Sequence, residues 1–354
     1  MESIFDHDRH PIIISGPCSA ESEEQLYDTA KELIGSCSIS AFRAGIWKPR
    51  TRPNSFEGRG AIALPWMQRI KEEFKVPITV EVANAQHVEH ALKHDVDILW
   101  IGARTTVNPF SVQEIADALK GTKVPVMIKN PMFPDLSLWI GAIERIYQAG
   151  TYKIAAIHRG FTAHKDAPFR NIPKWEIPIE LQRLFPDLDI ICDPSHIAGN
   201  RQLIKSVSQF ALDLSFRGLM IESHIHPETA LSDAKQQVVP SDLKTILASL
   251  KHKRSPLRNG ELLMIEQLRS SIDDIDMQLI DIIYERLQLI KEVGRIKSKS
   301  DLPVLQLKRW KKILETRTAI GAEKGLSTEF VKDLLELIHK ESVRVQIEDE
   351  SIYT

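Results

Sequence analysis

The chain is poor in cysteine, has no long apolar run and carries no excess of either charge. Each shortage removes a class of protein. Cys18, Cys37 and Cys192 are its only thiols, an odd and sparse set that points to a reducing compartment rather than a disulfide framework. No uninterrupted apolar stretch reaches membrane-spanning length, and the opening M-E-S-I-F-D-H-D lacks the basic-then-apolar pattern of a secretion signal. Lysine and arginine total 46 against 48 aspartate and glutamate, for a formal charge of −2. The overall field would therefore not draw a polyanion such as DNA, and cationic clusters must be local devices. Neither C-x-x-C nor H-E-x-x-H occurs, and no G-x-G-x-x-G follows the first apolar run. A soluble cytoplasmic protein with no nucleic-acid or membrane partner is expected, and 354 residues allow two or three domains.

What is present begins with Arg43 to Thr51, R-A-G-I-W-K-P-R-T, where three cations and a hydroxyl follow an apolar segment. Pro49 stiffens the turn between Lys48 and Arg50, so less entropy is lost on closing around an anion. Arginine forks suit paired oxygens and lysine supplies a point charge, so the stretch reads as a phosphate or carboxylate grip. Taken alone it would be a solvated basic loop. Its setting argues otherwise, because short apolar runs alternate with amphipathic stretches from Pro11 to about Leu250. The runs are Ile12 to Ser15, Ile39 to Arg43, Ile78 to Val82, Ile98 to Gly102, Val126 to Lys129, Ile154 to His158, Ile190 to Asp193 and Leu219 to Glu222. Eight such units predict a (β/α)8 TIM barrel, with an open doubly wound sheet as the alternative. A barrel places its chemistry just after the C-terminal ends of its strands. Cys18, Arg43, Lys48, Glu81, Arg104, Lys129, His158, Arg159, Asp193, His196 and Glu222 all fall there, with Asp233 a little beyond.

From Lys251 the texture changes to K-H-K-R-S-P-L-R-N-G, an exposed linker, and then to helix. The expected division is a barrel over 1–250, a linker over 251–260 and a helical domain over 261–354. Leu268, Ile272, Ile275, Leu279, Ile282 and Ile283 keep helical spacing, and Pro303 is the first breaker. A helix of about 38 residues would run about 57 Å, too long for a small domain to bury, so self-association through it is expected. Two further helices are predicted from about Val304 to Ala319 and from about Thr328 to Ile347, separated by Gly321 and Gly325, with Ser327 as an N-cap.

Two sets of residues carry the candidate chemistry. Cys18, His196, Glu222 and Asp233 offer one sulfur, one nitrogen and two carboxylates, a mixture that suits Mn, Fe, Co or Zn better than Mg or Ca. Spacing alone is weak support, since a buried thiol and a hydrogen-bonded rim histidine would read the same way. Arg269, Arg286, Lys297 and Arg309 lie in the helical region among apolar neighbours, a costly arrangement unless an anion is bound. At about 100° per residue, Arg286 and Lys297 project within about 20° of each other and Arg269 about 100° away. That suits a dimer in which Arg269 reaches the other copy's pocket. A solvated helix face is the plainer alternative.

The motifs G-P-C-S (Gly16 to Ser19), K-P-R-T (Lys48 to Thr51), G-A-R (Gly102 to Arg104), D-P-S-H (Asp193 to His196) and M-I-E-S-H (from Met220) resemble those of 3-deoxy-D-arabino-heptulosonate 7-phosphate (DAHP) synthases of the short type I-beta branch, through nearly all of residues 11 to 250. The resemblance implies condensation of phosphoenolpyruvate with erythrose 4-phosphate. It implies one divalent metal ion per barrel, Mn2+ foremost with Fe, Co or Zn as alternatives, held by Cys18, His196, Glu222 and Asp233. Arg43, Lys48, Arg104, Lys129 and Arg159 would bind phosphoenolpyruvate, with Arg50 and Thr51 on the aldose phosphate and Asp193 among the substrate-binding residues. Lys48 would donate a proton to the new alkoxide and Glu81 place the attacking water. A relative by fold, 3-deoxy-D-manno-octulosonate 8-phosphate synthase, takes a longer aldose phosphate, and K-P-R-T argues against it. Arg52, Asn130-Pro131 and His158 depart from the pattern, which bears on fine specificity.

Residues 262 to 348, with L-R-S-S-I-D-D-I-D, V-G-R-I-K and E-S-V-R-V-Q, resemble AroQ-class chorismate mutases, all-α three-helix chains that dimerise through the first helix. This implies rearrangement of chorismate to prephenate in a pocket of Arg286, Lys297, Arg309, Ser342 and Gln346, with Arg269 from the second copy. Lys297 and Gln346 would donate to the breaking ether oxygen. Gln306 and Trp310 depart from the usual acids near the substrate hydroxyl. With no regulatory domain expected ahead of the barrel, feedback by prephenate or chorismate would fall to the helices. A homodimer, or a tetramer built from it, is expected. In the alternative reading the helices are a dimerising, ligand-sensing module with little turnover.

Overall fold

The computed structural model describes residues 1–5, 11–48, 55–163, 168–251, 259–300, 302–303 and 305–348, the backbone alone at 259–263 and 348. Its chain forms two compact units, Met1–Lys253 and Arg254–Thr354.

The first unit is a closed barrel. In chain order its strands are β1 (Ile12–Gly16), β2 (Ala41–Ala44), β3 (Ile78–Val82), β4 (Ile98–Ile101), β5 (Val126–Lys129) and β6 (Ile154–His158), then a short antiparallel pair, β7 (Phe161–Thr162) and β8 (Asn171–Ile172), and finally β9 (Asp189–Cys192) and β10 (Gly218–Glu222). Around the barrel the order is β1-β10-β9-β6-β5-β4-β3-β2, and every pairing is parallel. Nearly all strand residues are buried, as a sheet with side chains on one face and helices on the other requires. Strand alternation then sorts them. Ile12, Ile14, Ala41, Ile98, Trp100, Met127, Ala155, Ile157, Ile191 and Met220 pack together as one buried cluster. Their neighbours, such as Phe42, Val80, Ile128 and Ile190, join the helices in the larger one.

The same parity decides which rim residues reach the mouth. Arg43, Glu81, Lys129 and Glu222 each stand two positions beyond an inward residue. His158 follows the inward Ile157, and its ring meets Trp139, Phe161, Trp175 and Phe216 in the strand–helix layer. The sequence placed it on the rim, but an odd step along β6 turns it outward.

The second unit has helices Asn259–Lys299, Leu307–Glu323 and Thr328–Glu348. The predicted break at Gly321 is a misreading. Gly321 lies buried inside the second helix, where a Cβ would come within 2.6 Å of Val331 Cγ2. Its role is close helix packing, and the chain turns at Gly325, which has φ +81°. Ser327 caps the third helix by accepting from Phe330 N at 3.0 Å. Met264, Leu268, Ile272, Ile275, Leu279, Ile282, Leu289 and Ile296 are exposed along the long helix, a larger apolar surface than an isolated chain ordinarily leaves in water.

Candidate functional site

The mouth of the barrel is built from strand ends in register. Gly16 pairs with Glu222, which sets the β1 turn bearing Cys18 beside a buried carboxylate. Gly16 has φ +149°, and a Cβ there would come within 2.0 Å of Arg43 O, so only glycine lets β1 and β2 approach at this point. Cys18 Sγ lies 3.4 Å from Asp233 Oδ2. Ligand atoms of Cys18, Glu222 and Asp233 all fall within 4.8 Å of one another. His196, the fourth predicted ligand, stands at the margin, with Nε2 3.8 Å from Glu222 Oε1 and Nδ1 2.8 Å from Asp193 Oδ2.

Cations surround this cluster. Arg43, 1 % exposed, sets Nη1 3.4 Å from Glu222 Oε1 and its guanidinium 4.8 Å from the centre of the Trp100 ring. Lys48 Nζ donates to Cys18 O at 2.9 Å and lies 3.0 Å from Cys18 Sγ. Lys129 Nζ donates to Asp193 Oδ2 at 2.8 Å, and Asp193 Oδ1 caps the short helix Pro194–Ala198 by accepting from His196 N. Arg159 donates to Asn171 Oδ1 at 2.8 Å. Trp100 Nε1 donates to Glu81 Oε2 at 3.2 Å. Lys48, Glu81, Arg104, Lys129, Arg159, Arg170, His196 and Asp233 line one cleft. Arg50 and Thr51 lie outside the described residues.

Burial and charge set the protonation states. Burial, with Glu222 adding to it, pushes the Cys18 thiol up to about 12. Burial alone would neutralise Glu222, but His196 and Arg43 outweigh it and hold the carboxyl below its usual range. Asp193 follows the same logic through His196 and Lys129, as does Asp233 through Arg170 and His196. Burial works against the Lys48 ammonium, yet Cys18, Glu222 and Glu81 hold it above its ordinary value. Burial brings Arg159 down to about 10, which leaves it charged at neutral pH.

These residues fit a divalent cation. Glu222 Oε1 is buried without a hydrogen-bond partner among the described residues, and an ammonium already rests against Cys18 Sγ. A sulfur with two carboxylates, and an imidazole alongside, is a donor set for a borderline-soft ion.

Several participants were not read from the sequence. Arg170, just before β8, donates to Gln236 Oε1 and lies 3.0 Å from Asp233 Oδ1. Gln236 Nε2 donates to Glu222 Oε2 at 2.7 Å, and Gln237 Oε1 accepts from Cys18 N at 2.8 Å. Asn171 Nδ2 donates to His196 O at 2.6 Å. None of these follows an apolar run, so nothing in the periodicity marked them.

In the helical unit, Arg286 Nη1 donates to Ser342 Oγ at 2.6 Å, and Gln346 Nε2 donates to Ser342 O at 3.0 Å. Gln346 Oε1 is buried and without a partner among the described residues. Gly294 lets the long helix approach, since a Cβ there would lie 3.1 Å from Gln346 Cγ. The ring of His339 feels both Arg286 and Lys297, so these groups share one locality. Arg309 is exposed in the first turn of the second helix. Arg269 is apart from them within the unit, exposed and paired with Glu266.

Comparison with known proteins fits this architecture. The model of the DAHP synthetase I family matches residues 3–258, and the chain belongs to that family. The chorismate mutase type II model matches residues 268–347, so a domain of that type follows the barrel. Phospho-2-dehydro-3-deoxyheptonate aldolase of Thermotoga maritima is 29% identical over 239 residues, 68% of each chain. A crystal structure of the Thermotoga maritima DAHP synthase superimposes with a TM-score of 0.59 at 28% identity, covering 67% of each chain. The 2-dehydro-3-deoxyphosphooctonate aldolase of Geobacter sulfurreducens is 26% identical over 263 residues, 69% of this chain and 92% of that one.

Proposed function

We propose that the barrel condenses phosphoenolpyruvate with erythrose 4-phosphate to DAHP and phosphate, and that the helices rearrange chorismate to prephenate. The observation that carries the first reading is the close cluster of Cys18, Glu222 and Asp233 ringed by Arg43, Lys48, Lys129 and Arg159. Cys18, Glu222 and Asp233, with His196 alongside, would hold one divalent ion, Mn2+ foremost with Fe, Co or Zn as alternatives. Bound there, such an ion supplies Lewis-acid polarisation of an aldehyde.

The chain's own groups do the rest. Arg43, Lys48, Arg104, Lys129 and Arg159 bind the phosphate and carboxylate of phosphoenolpyruvate and hold its C3 toward the aldehyde carbon. Arg50 and Thr51 take the phosphate of the four-carbon sugar. Lys48, kept protonated by the Glu222 and Glu81 carboxylates, donates its proton to the new alkoxide. Glu81, oriented by Trp100, places the water that adds at C2, after which phosphate leaves. Asp193 keeps Lys129 and His196 in position.

One relative named above is a 2-dehydro-3-deoxyphosphooctonate aldolase, so the aldose phosphate is the point to test. Full-length protein should release phosphate from phosphoenolpyruvate faster with erythrose 4-phosphate than with arabinose 5-phosphate. The reverse preference would refute this half of the reading.

Chorismate rearrangement needs no proton transfer, so a pocket of fixed cations and one amide is sufficient chemistry. Arg286, Arg309 and Ser342 would hold the two carboxylates, with Arg269 from a second copy. Lys297 and Gln346 would donate to the breaking ether oxygen, and the buried, unpaired Gln346 Oε1 and the Arg286–Ser342 contact support that pocket. The apolar face of the long helix supports a homodimer, with a tetramer as the larger alternative. Loss of chorismate absorbance on adding the full chain tests the activity. Binding without turnover would leave the helices as a dimerising, ligand-sensing module.

The two activities share one chain, which supports feedback by prephenate or chorismate held in the helices. If Arg286→Ala removed mutase activity and left prephenate inhibition of the barrel intact, that idea would fail. The division into barrel 1–250, linker 251–260 and helical domain 261–354 belongs to the same reading. Three free thiols and two biosynthetic families support a cytoplasmic location.

A further inference from the structure

The helical unit contains a pair that the reading above leaves unused. Trp310 and His339 stack face to face, with ring centroids 3.9 Å apart and planes at 12°. They come from different helices, so the stack joins the second helix to the third. On the third helix His339 precedes Ser342 by three positions and Gln346 by seven, spacing that puts all three on one face. Ser342 and Gln346 are buried there, and Ser342 accepts from Arg286 of the long helix.

The charges acting on the imidazole are therefore traceable to each element packed against it. Burial lowers the pKa of His339, and Arg286 and Lys297 of the long helix lower it further. The second helix presents the uncharged Trp310 ring, flanked in sequence by the exposed Arg309 and by Lys311, which pairs with Glu315. On its own helix the nearest charges in sequence are Lys340, Glu341 paired with Arg344, and Glu336 paired with Lys332. Two fixed cations beside the ring make a third positive charge unfavourable. A bound dianion cancels that local field and removes the penalty. The indole face then favours imidazolium over imidazole, because a ring quadrupole attracts a cation.

We infer that His339 is a further ligand-binding residue of this pocket, neutral beside Arg286 and Lys297 alone and protonated when a dicarboxylate binds with them. The inference rests on reading the pocket as a dicarboxylate site. It makes binding proton-linked: affinity is highest below the pKa of the ligand-free imidazole and falls as pH rises through that of the complex.

The test is calorimetric titration of the full-length protein with prephenate from pH 6.0 to 8.5, in two buffers of different ionisation heat. The wild type should take up a proton on binding, with Kd rising by up to about tenfold per pH unit at the steepest. His339→Gln should bind with a Kd that does not vary with pH and with no buffer-dependent heat. His339→Lys, charged throughout, should stay tight to pH 8.5. Proton-free binding by the wild type, or an unchanged slope in His339→Gln, overturns the role of His339 and leaves the pocket reading standing. Absence of any prephenate heat in the wild type overturns both. The proton count on the unaltered protein decides the matter even if a variant fails to fold.

Discussion

Lys48 Nζ lies 3.0 Å from Cys18 Sγ and 2.9 Å from Cys18 O. The proposed proton donor and the proposed sulfur ligand thus belong to one assembly, set up by the β1 turn and the segment after β2. Cys18→Ser keeps the approximate size and the backbone contacts but replaces the soft donor. Its divalent-ion affinity should fall by more than the roughly 10–100-fold expected from losing a supporting hydrogen bond. Equilibrium metal titration checks this, with an unchanged melting temperature of the metal-free protein as the control.

Arg43 and Glu222 form a buried ion pair, 1 % and 0 % exposed. Removing one partner strands the other, so Arg43→Met should destabilise the barrel by about 3–5 kcal/mol. The double variant Arg43→Met with Glu222→Gln should regain part of that loss. Urea unfolding of the three proteins provides the comparison.

His158 sits among four aromatic rings, and burial followed by the Arg159 charge depresses its pKa from 6.5 to about 3. The unfolded chain therefore binds a proton at a higher pH than the folded one. The stability contributed by the neutral ring is complete above pH 6.5 and is lost as pH falls toward 3. Relative to His158→Phe, the wild type should lose up to about 5 kcal/mol across that window. Parallel unfolding curves for the two proteins would refute this.

Gly102 follows β4 where a Cβ would meet Glu81 Oε1 at 1.9 Å. The clash is with the tip of a side chain, so Gly102→Ala should fold and displace Glu81. If Glu81 places the attacking water, kcat should drop by about 100-fold or more, the range of a general-base contribution, while metal affinity stays level. An unchanged kcat would remove Glu81 from the chemistry.

The barrel was legible because continuous apolar runs at regular spacing have few other solutions, and because chemistry gathers at strand ends. Arg43, Glu81, Lys129 and Glu222 could be found in this way, one alternation beyond inward residues. His158 could not be placed without parity, and Gly321 looked like a breaker because a glycine needed for close packing has the same letter as one needed for a turn. Arg170 and Gln236 sit on irregular segments, and Asn171 on a two-residue strand too short to show alternation, so their positions depend on tertiary contacts. His339 was silent because a lone histidine in an amphipathic helix carries no signal until Trp310 is folded against it.

The central claim is that Cys18, Glu222 and Asp233, with His196, hold one metal ion that works with the ring of cations to join two phosphorylated substrates. Its most direct test is to strip divalent ions from the full-length protein, then follow phosphate release from phosphoenolpyruvate and erythrose 4-phosphate as Mn2+ is added back. The account predicts no release from the stripped protein, recovery saturating at one ion per barrel, and a much weaker response in Cys18→Ser. Full activity in the stripped protein, or equal recovery in Cys18→Ser, would contradict it.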